Sequence, residues 1–332
     1  MKVKLPFLTI LFSLLAVTFY GQSTQIRGFV DITGSYNKKA SFGFGEQDLF
    51  ITSAITDRIS FLGETVFKYD GSESTEFGLS IERVIINYNL YGNHNLIMGK
   101  VHTPLNYWND TYHHGRVFFP TIDRPLLFSA KIIPLHTVGI GIAGNDLGRM
   151  KFGYNVFVGN GLGSSDVSDN DQEKSFTAAI HIKPADRLRI GLSYYYDVIS
   201  AGADVHGMMI DHQVNQHLIS ASLSRFGKKF EFLTEATSAL NHTDTTGTKN
   251  TIAGYAYAGY RIKEKFVPYV RYDNIHYQTG EMYYMKNNTQ SFVAGLRYEI
   301  SYLAVVKMEY QHLDNEFTDD IDKVTVQFAI GF

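Results

Sequence analysis

The side chains best able to do chemistry are concentrated in one segment, residues 102–135. The candidate residues there are Trp108, Asp110, Tyr112, His113, His114, Arg116, Asp123 and Arg124. Arginines that face carboxylates across a water-filled opening set up a transverse electric field, which filters solutes by size and charge. Adjacent imidazoles could instead begin a metal site.

Metal binding is the weaker interpretation of these histidines. A defined metal site needs several ligands in fixed geometry, and the side chains of adjacent His113 and His114 point apart if the backbone is extended. His102 and His136 flank the same segment, and protonation of the adjacent pair could instead change conductance near about pH 6. We therefore predict no bound metal and no cofactor.

Catalysis has no local signature in the chain. It contains no cysteine, and no serine stands in a pattern that joins it to a histidine and an aspartate as nucleophile, base and orienting group. The stretch GNGLGS at 159–164 follows a strand pattern and leads into an acidic loop, so it does not fit a phosphate cradle. We expect a protein that is not an enzyme, and its net charge of −3 argues against a nucleic-acid partner.

The elements that must position segment 102–135 are β-strands. Apolar and polar residues alternate along 188–197, 292–299 and 302–311, whereas no helical stripe of comparable length occurs. Short polar connections separate the strand patterns at 56–58, 91–95, 145–149, 184–187, 226–229, 262–265 and 299–302. Longer connections alternate with them at 35–45, 70–76, 102–135, 160–173, 199–213, 241–249, 278–288 and 314–322. This alternation predicts an up-and-down antiparallel β-barrel of about 16 strands, with both termini on the short-turn side.

A soluble sandwich or propeller would also show short alternating strands. Here the apolar face carries aromatic residues at its edges, as expected at the two interfaces of a membrane. These residues are Tyr69, Tyr88, Tyr194, Tyr196, Tyr272, Tyr298, Tyr302, Tyr310 and Phe332. Two lysines and an apolar run precede the first strand, which predicts a secretory signal peptide over 1–21 and a mature barrel over 22–332. We therefore favour a transmembrane barrel.

The second face of the strands carries charges of both signs. The predicted pore-lining residues are Arg27, Asp31, Glu64, Lys68, Arg83, Lys100, Arg189, Glu231, Glu235, Arg271, Arg297, Glu299, Lys307 and Glu309. A charge on the lipid face would cost about 2–4 kcal/mol near the bilayer midplane, so this face must be hydrated. Some of these groups could instead pair with one another at the rim or contact a neighbouring subunit.

The terminal stretch KVTVQFAIGF, residues 323–332, alternates up to a final aromatic residue. In a closed barrel this strand must pair with the first strand, 25–34, because unpaired backbone groups are not tolerated in lipid. A terminal strand that ends in phenylalanine resembles the insertion signal of bacterial outer-membrane proteins. This resemblance implies a location in the cell outer membrane, surrounded by lipid, and the similarity to general porins implies a homotrimer.

Segment 102–135 carries a second resemblance. In general porins of Gram-negative bacteria the third loop folds into the barrel and narrows it, and this segment is similar in position and length. The stretch GKVHTPLNYWNDTYHHG, residues 99–115, resembles porin-like outer-membrane proteins of Bacteroidota, loosely grouped with the phosphate-selective porin O/P family. An external loop, or one that grips a partner subunit, is the alternative.

These observations predict a porin for passive diffusion of small hydrophilic solutes and ions through a water-filled pore narrowed by residues 102–135. The residues expected to attract anions are Arg116, Arg124, Arg271 and Arg297. Those expected to balance them are Asp110, Glu231, Glu235 and Glu309. The mixed signs indicate weak ion selectivity rather than a dedicated anion pore. The alternative function is a non-conducting barrel subunit of a larger outer-membrane assembly complex.

Overall fold

A computed structural model of the chain describes residues 23–69, 77–112, 115–162, 169, 171–205, 208–284 and 286–332. Sixteen antiparallel strands form a closed barrel, and a separate two-stranded hairpin lies within one of the connections. The predicted up-and-down barrel and its strand number are therefore confirmed. Within the described ranges, no helix is both long and apolar enough to cross a membrane.

The strands follow one another along the chain and are joined by connections of different lengths. The first nine are β1 (Ser23–Asn37), β2 (Lys39–Ala54), β3 (Ile59–Tyr69), β4 (Phe77–Tyr91), β5 (His94–His102), β6 (His136–Leu147), β7 (Phe152–Gly159), β8 (Ser175–Ala185) and β9 (Leu188–Ile199). The hairpin outside the barrel consists of β10 (Asp204–Val205) and β11 (Met208–Met209). The remaining barrel strands are β12 (Val214–Phe226), β13 (Phe230–Thr243), β14 (Gly247–Tyr260), β15 (Phe266–Tyr277), β16 (Thr289–Ser301), β17 (Ala304–Asn315) and β18 (Ile321–Gly331). Two short helices, α1 (Tyr107–Thr111) and α2 (Leu126–Ser129), lie between β5 and β6.

The barrel closes between its first and last strands. β1 pairs antiparallel with β18, beginning with Phe29 opposite Gly331. Gly28 and Phe332 extend this pairing, because the backbone N–H of each donates to the carbonyl oxygen of the other at 2.9 Å. The pairing of the terminal strand with the first is as predicted, and it leaves neither strand with an open edge.

Side chains alternate between an apolar exterior and a more polar interior. On β9, Leu192 points outward and is 55% exposed, whereas Tyr195 and Asp197 point inward and are buried. Exposed or half-buried aromatic residues gather at the turn-side ends of the strands, at Tyr91, Phe230, Tyr260, Phe266, Tyr298 and Tyr302. An apolar exterior with aromatic residues at its edge is the surface that a transmembrane barrel presents to lipid.

Two of the predicted long connections are wrong. Residues 35–45 and 241–249 were expected to be loops, but β1 and β2 pair up to Asn37 opposite Lys39, and β13 and β14 pair up to Thr243 opposite Gly247. Lys38 alone makes the first turn, with a positive φ of 58°. Both segments are rich in residue types that favour turns, among them glycine, asparagine, serine and threonine, so their sequences resemble loops.

Two predicted segments lie outside the described residues. They are the signal peptide, 1–21, and the connection 70–76. Both stay predictions.

An arginine in place of Leu192 tests the lipid-facing exterior. This position lies five residues into the 12-residue strand β9, and Leu192→Arg is expected to lower the free energy of unfolding by about 2–4 kcal/mol. The matched control, Leu90→Arg, lies close to the turn-side end of β4, where the cost is expected to be about 0–1 kcal/mol. Reversible urea unfolding in lipid vesicles measures both values. Equal costs at the two positions would contradict an exterior that faces a bilayer.

Candidate functional site

Loop 3 comprises residues 103–135 between β5 and β6, and its described residues, 103–112 and 115–135, lie inside the barrel. Its apolar side chains pack against the inner faces of β9 and β12–β16. Trp108, the single tryptophan of the chain, is fully buried. Its ring centroid lies 5.4 Å from that of Phe119 in the same loop and 6.0 Å from that of Tyr255 on β14. The inward position predicted for this loop is confirmed.

Carboxylates of the barrel wall cap the first turn of each loop helix. Glu235 of β13 accepts hydrogen bonds from the backbone N–H groups of Tyr107 and Trp108, the first two residues of α1. Asp273 of β15 accepts one at 3.0 Å from Leu126, the first residue of α2. Neither helix has a side-chain cap of its own, so the wall supplies the acceptors that a helix N-terminus needs.

Cationic side chains of the wall bind acceptors of the loop. Arg271 of β15 donates to the hydroxyl of Thr121 at 2.6 Å, and Lys307 of β17 donates to the carbonyl oxygen of Thr121 at 3.1 Å. Arg297 of β16 donates to the carbonyl oxygen of Pro120 at 3.0 Å. Because both the cations and the loop carbonyls lie away from water, each provides the partner that the other would lack.

Many of the charges predicted to line open water therefore lie beneath loop 3. Those buried on β13 and β15–β17 are Glu231, Glu235, Arg271, Arg297, Lys307 and Glu309, and Asp31, Glu64 and Lys100 are buried on β1, β3 and β5. Period-two alternation predicts the face on which a side chain lies, but it contains no information on whether water or a loop covers that face. The structure brings these residues together as a surface that binds loop 3.

Two arginines and two carboxylates form a network at the turn side of this surface. Arg297 lies 2.7 Å from Glu231 and 3.0 Å from Glu299. Arg261 lies 2.6 Å from each of the same carboxylates, and the Tyr257 hydroxyl donates to Glu231 at 2.8 Å. Sequence reasoning missed Arg261 because it lies directly beside a predicted turn. The paired charges cancel, so this network contributes little net field to the lumen.

Loop 3 itself carries two arginines in different surroundings. Arg116 forms ion pairs at 3.4–3.7 Å with the carboxylates of Asp31, Glu46 and Asp123. Burial lowers the pKa of Arg116, but these carboxylates, Glu46 first, outweigh burial and raise that pKa above its usual value. Burial is the main cause that lowers the pKa of Arg124. Arg116 is thus a cation held among carboxylates at the β1–β2 wall.

The other predicted wall residues on β1 and β3–β5 whose side chains the structure describes are also engaged in hydrogen bonds or ion pairs. Arg83 pairs with Glu64, and Lys100 donates to the carbonyl oxygen of Ile81 at 2.6 Å. Arg27 donates to Gln25 at 3.0 Å and is exposed. The side chain of Lys68 lies outside the described residues.

Two histidines face carboxylates where loop 3 joins the barrel. His102 and His136 lie opposite each other on β5 and β6, with ring centroids 5.4 Å apart. Their Nε2 atoms lie 3.8 Å from Glu64 and 3.0 Å from Glu82, respectively. The predicted constriction residues His113 and His114 lie outside the described residues. Among the residues that the structure describes, no group of three or more histidine, cysteine, aspartate or glutamate side chains could hold a metal ion.

The helix α1 also faces a part of the wall that does not bind the loop tightly. Asp110, whose side chain is 52% exposed, lies 3.4 Å from Arg189 of β9. The Arg189 guanidinium stacks over the Tyr107 ring at 5.0 Å and lies 3.3 Å from Nδ1 of His181 on β8. A cavity of about 80 Å³ separates α1 from the inner faces of β6–β9 and β12 here. His181 was missed by the sequence reasoning, although its inward position follows from the alternation of β8.

Comparisons with known proteins support the fold. No model of a known protein family matches the chain, and no curated protein matches it by sequence. An anion-selective porin from Comamonas acidovorans is similar with a TM-score of 0.69 and 11% identity, over 94% of this chain and 100% of that chain. The outer membrane channel DcaP of Acinetobacter baumannii is similar with a TM-score of 0.67 and 13% identity, over 95% of this chain and 98% of that chain. The trimer form of OmpT, an outer membrane protein of Vibrio cholerae, is similar with a TM-score of 0.68 and 12% identity, over 94% of this chain and 100% of that chain.

These similarities and the apolar exterior lead to one conclusion. The chain has the fold of a porin-like outer-membrane barrel, and a closed barrel with a lipid-facing exterior belongs in the outer membrane.

Removal of the Glu235 carboxylate tests the attachment of loop 3. Hydrogen bonds to a charged acceptor contribute about 1.5–3 kcal/mol, so Glu235→Ala is expected to loosen α1 while the paired strands stay closed. Trp108 lies in α1, and its fluorescence therefore reports on the loop alone. We expect red-shifted emission and stronger acrylamide quenching in the variant.

The control for this measurement is Glu173→Ala, at an exposed position in the connection between β7 and β8. It should leave the Trp108 emission unchanged. Heat-dependent gel mobility reports barrel closure in both variants. Unchanged emission in Glu235→Ala would show that Glu235 does not hold α1. Loss of the barrel together with the loop would contradict the expectation that the carboxylate attaches the loop without holding the strands closed.

Proposed function

We propose that the chain is a porin, a passive channel for small hydrophilic solutes and ions that loop 3 narrows. The one-sided attachment of loop 3 supports this proposal. Its polar anchors lie on β9, β13, β15–β17, β1 and β2, whereas a cavity separates α1 from β6–β8. A loop attached to one side of a 16-stranded barrel narrows the lumen and leaves a route along the other side.

Loop 3 supplies the proposed constriction. The residues assigned to it are Trp108, Asp110, Tyr112, His113, His114, Arg116, Asp123 and Arg124. Of these, Asp110 is the acidic group that borders the cavity, and Arg189 is the basic group opposite it. Openings at the turn side are bordered by charges of both signs, among them Arg187, Arg261 and Glu264. We therefore propose weak ion selectivity, because a selective pore requires a ring of one sign.

The assembly proposed for the barrel is a homotrimer. The trimer form of a similarly folded outer-membrane protein and the apolar exterior support it, since such an exterior can contact lipid or another barrel. Residues 99–115 further support a place among the porin-like proteins of Bacteroidota. Native mass spectrometry of the detergent-solubilised protein measures the number of chains.

Charge reversal at the cavity tests the proposed route. A unit charge acts on an ion about 4 Å away in water with about 1 kcal/mol, and Asp110→Lys changes the charge by two units. The variant is therefore expected to shift the anion-to-cation permeability ratio toward anions by at least about fivefold. The reversal potential of single channels in a salt gradient across a planar bilayer gives this ratio. The control is Asp319→Lys, an exposed aspartate between β17 and β18, which should have little effect.

The same recordings separate the two functions considered for the barrel. A conducting channel with an unchanged reversal potential in Asp110→Lys would place the ion route elsewhere. A folded barrel that never conducts would contradict the porin proposal and favour the non-conducting subunit of a larger assembly.

A further inference from the structure

The turn-side end of the barrel carries a net positive charge. Its turns at 148–151, 227–229 and 261–265 hold seven arginine or lysine residues and one carboxylate, Glu264. The turns at 55–58 and 186–187 each hold one aspartate and one arginine, and those at 92–93 and 302–303 hold no charged residue. We call the residues of these seven turns the basic rim.

The opposite end of the barrel carries a net negative charge. Outside loop 3, the described connections at this end lie within residue 38 and residues 160–174, 200–213, 244–246, 278–288 and 316–320. Their described residues hold ten carboxylates against the lysines Lys38, Lys174 and Lys286. Lys174 pairs with Asp169, but an ion pair within one end removes both signs equally and leaves the net charge unchanged. We call these connections the acidic rim.

Charges of the basic rim border the water-filled openings of the barrel. Two openings of about 650 and 840 Å³ lie between loop 3 and the turns. Lys228 and Glu264 border the first, Lys151 borders the second, and Arg187 borders both. An ion that leaves or enters the lumen at this end therefore passes side chains of the basic rim.

Opposite charge at the two ends makes the supply of ions depend on the direction of the current. A charged mouth concentrates ions of the opposite sign and repels those of its own sign. When the acidic end is positive, cations enter through the acidic rim and anions enter through the basic rim, so each enters where it is concentrated. When the voltage is reversed, each enters through the rim that repels it. The lumen is then depleted of both ions, and the current falls.

We propose that the two rims make the barrel a rectifying channel, which passes more current when the extracellular side is positive. The inference rests on the proposed channel function and adds a direction to it. Short turns of outer-membrane barrels face the periplasm and long connections face the outside, so the basic rim is periplasmic and the acidic rim is extracellular. The weak overall ion selectivity is retained, because the two rims favour ions of opposite sign.

Current–voltage curves of single channels in KCl of equal concentration on both sides test the proposal. The Debye length is about 30 Å at about 0.01 M salt and about 3 Å at about 1 M. Surface potentials reach several kT, so we expect the currents at opposite voltages to differ about twofold or more in the dilute salt. In the concentrated salt the two currents should be equal.

The orientation of each channel is read from a label on the acidic rim. The chain has no cysteine, so Thr318→Cys, at an exposed position, can be biotinylated at this site alone. Streptavidin is too large to pass through the barrel. It perturbs the current only from the chamber that the acidic rim faces, and this identifies the side at which a positive voltage should give the larger current.

Charge variants assign the effect to the rims. Lys228→Glu combined with Lys229→Glu reverses two charges of the basic rim, and the ratio of the two currents should fall toward one. Asp211→Lys combined with Asp244→Lys should do the same from the acidic rim. The matched control combines Lys228→Glu with Glu264→Lys, which exchanges charges between two residues at the same opening. Its net charge is unchanged, so it should still rectify.

The outcomes separate this inference from the proposed function. A conducting barrel with equal currents at opposite voltages in dilute salt would overturn the inference and leave the channel intact, and so would a larger current with the periplasmic side positive. A folded barrel that never conducts would overturn the channel and the inference together. Rectification that is unchanged in both rim variants, or lost in the charge-exchange control, would show that the net charge of the rims is not its cause.

Discussion

In a lipid bilayer every backbone N–H and C=O group must find a partner within the protein, and this constraint decides the architecture. Sixteen strands meet it by closing on themselves, and the pairing of β1 with β18 completes the ring. Closure gives each strand two faces with different surroundings, lipid outside and the lumen inside. The remaining features of the molecule depend on what occupies the lumen.

Part of the lumen is occupied by loop 3, and the loop is held there by buried charge. An unpaired charge such as Glu235 or Lys307 would cost several kcal/mol in this position. The backbone N–H groups of α1 and the carbonyl groups around Thr121 would be equally unfavourable if they lacked partners. The charged side chains of the wall and the backbone groups of the loop are hydrogen-bond partners of one another. The apolar side chains around Trp108 exclude water from the space between the wall and the loop. The loop and the wall are therefore stable together and unfavourable apart.

The attachment of loop 3 to one side makes the interior asymmetric. Beneath the loop the strong charges are buried in ion pairs and in hydrogen bonds to its backbone. On the opposite side the groups that border the cavity are amides, hydroxyls and the paired Asp110 and Arg189. Charges that are paired at short distance produce little field beyond about one Debye length. This distribution supports the proposed passage for small hydrophilic solutes.

The sequence by itself determined the barrel class, its strand number, the pairing of its ends and the inward loop, because the alternation of side chains along a strand is a local property. It did not separate loop from strand at 35–45 and 241–249, where residue types that favour turns are frequent. Only the tertiary structure decided which inward charges meet loop 3 and which meet the cavity. Arg271 binds Thr121, 150 residues away in the chain, whereas Arg189 lies beside the cavity. Both arginines point into the lumen from a barrel strand. Their surroundings differ only because loop 3 passes over Arg271 and not over Arg189.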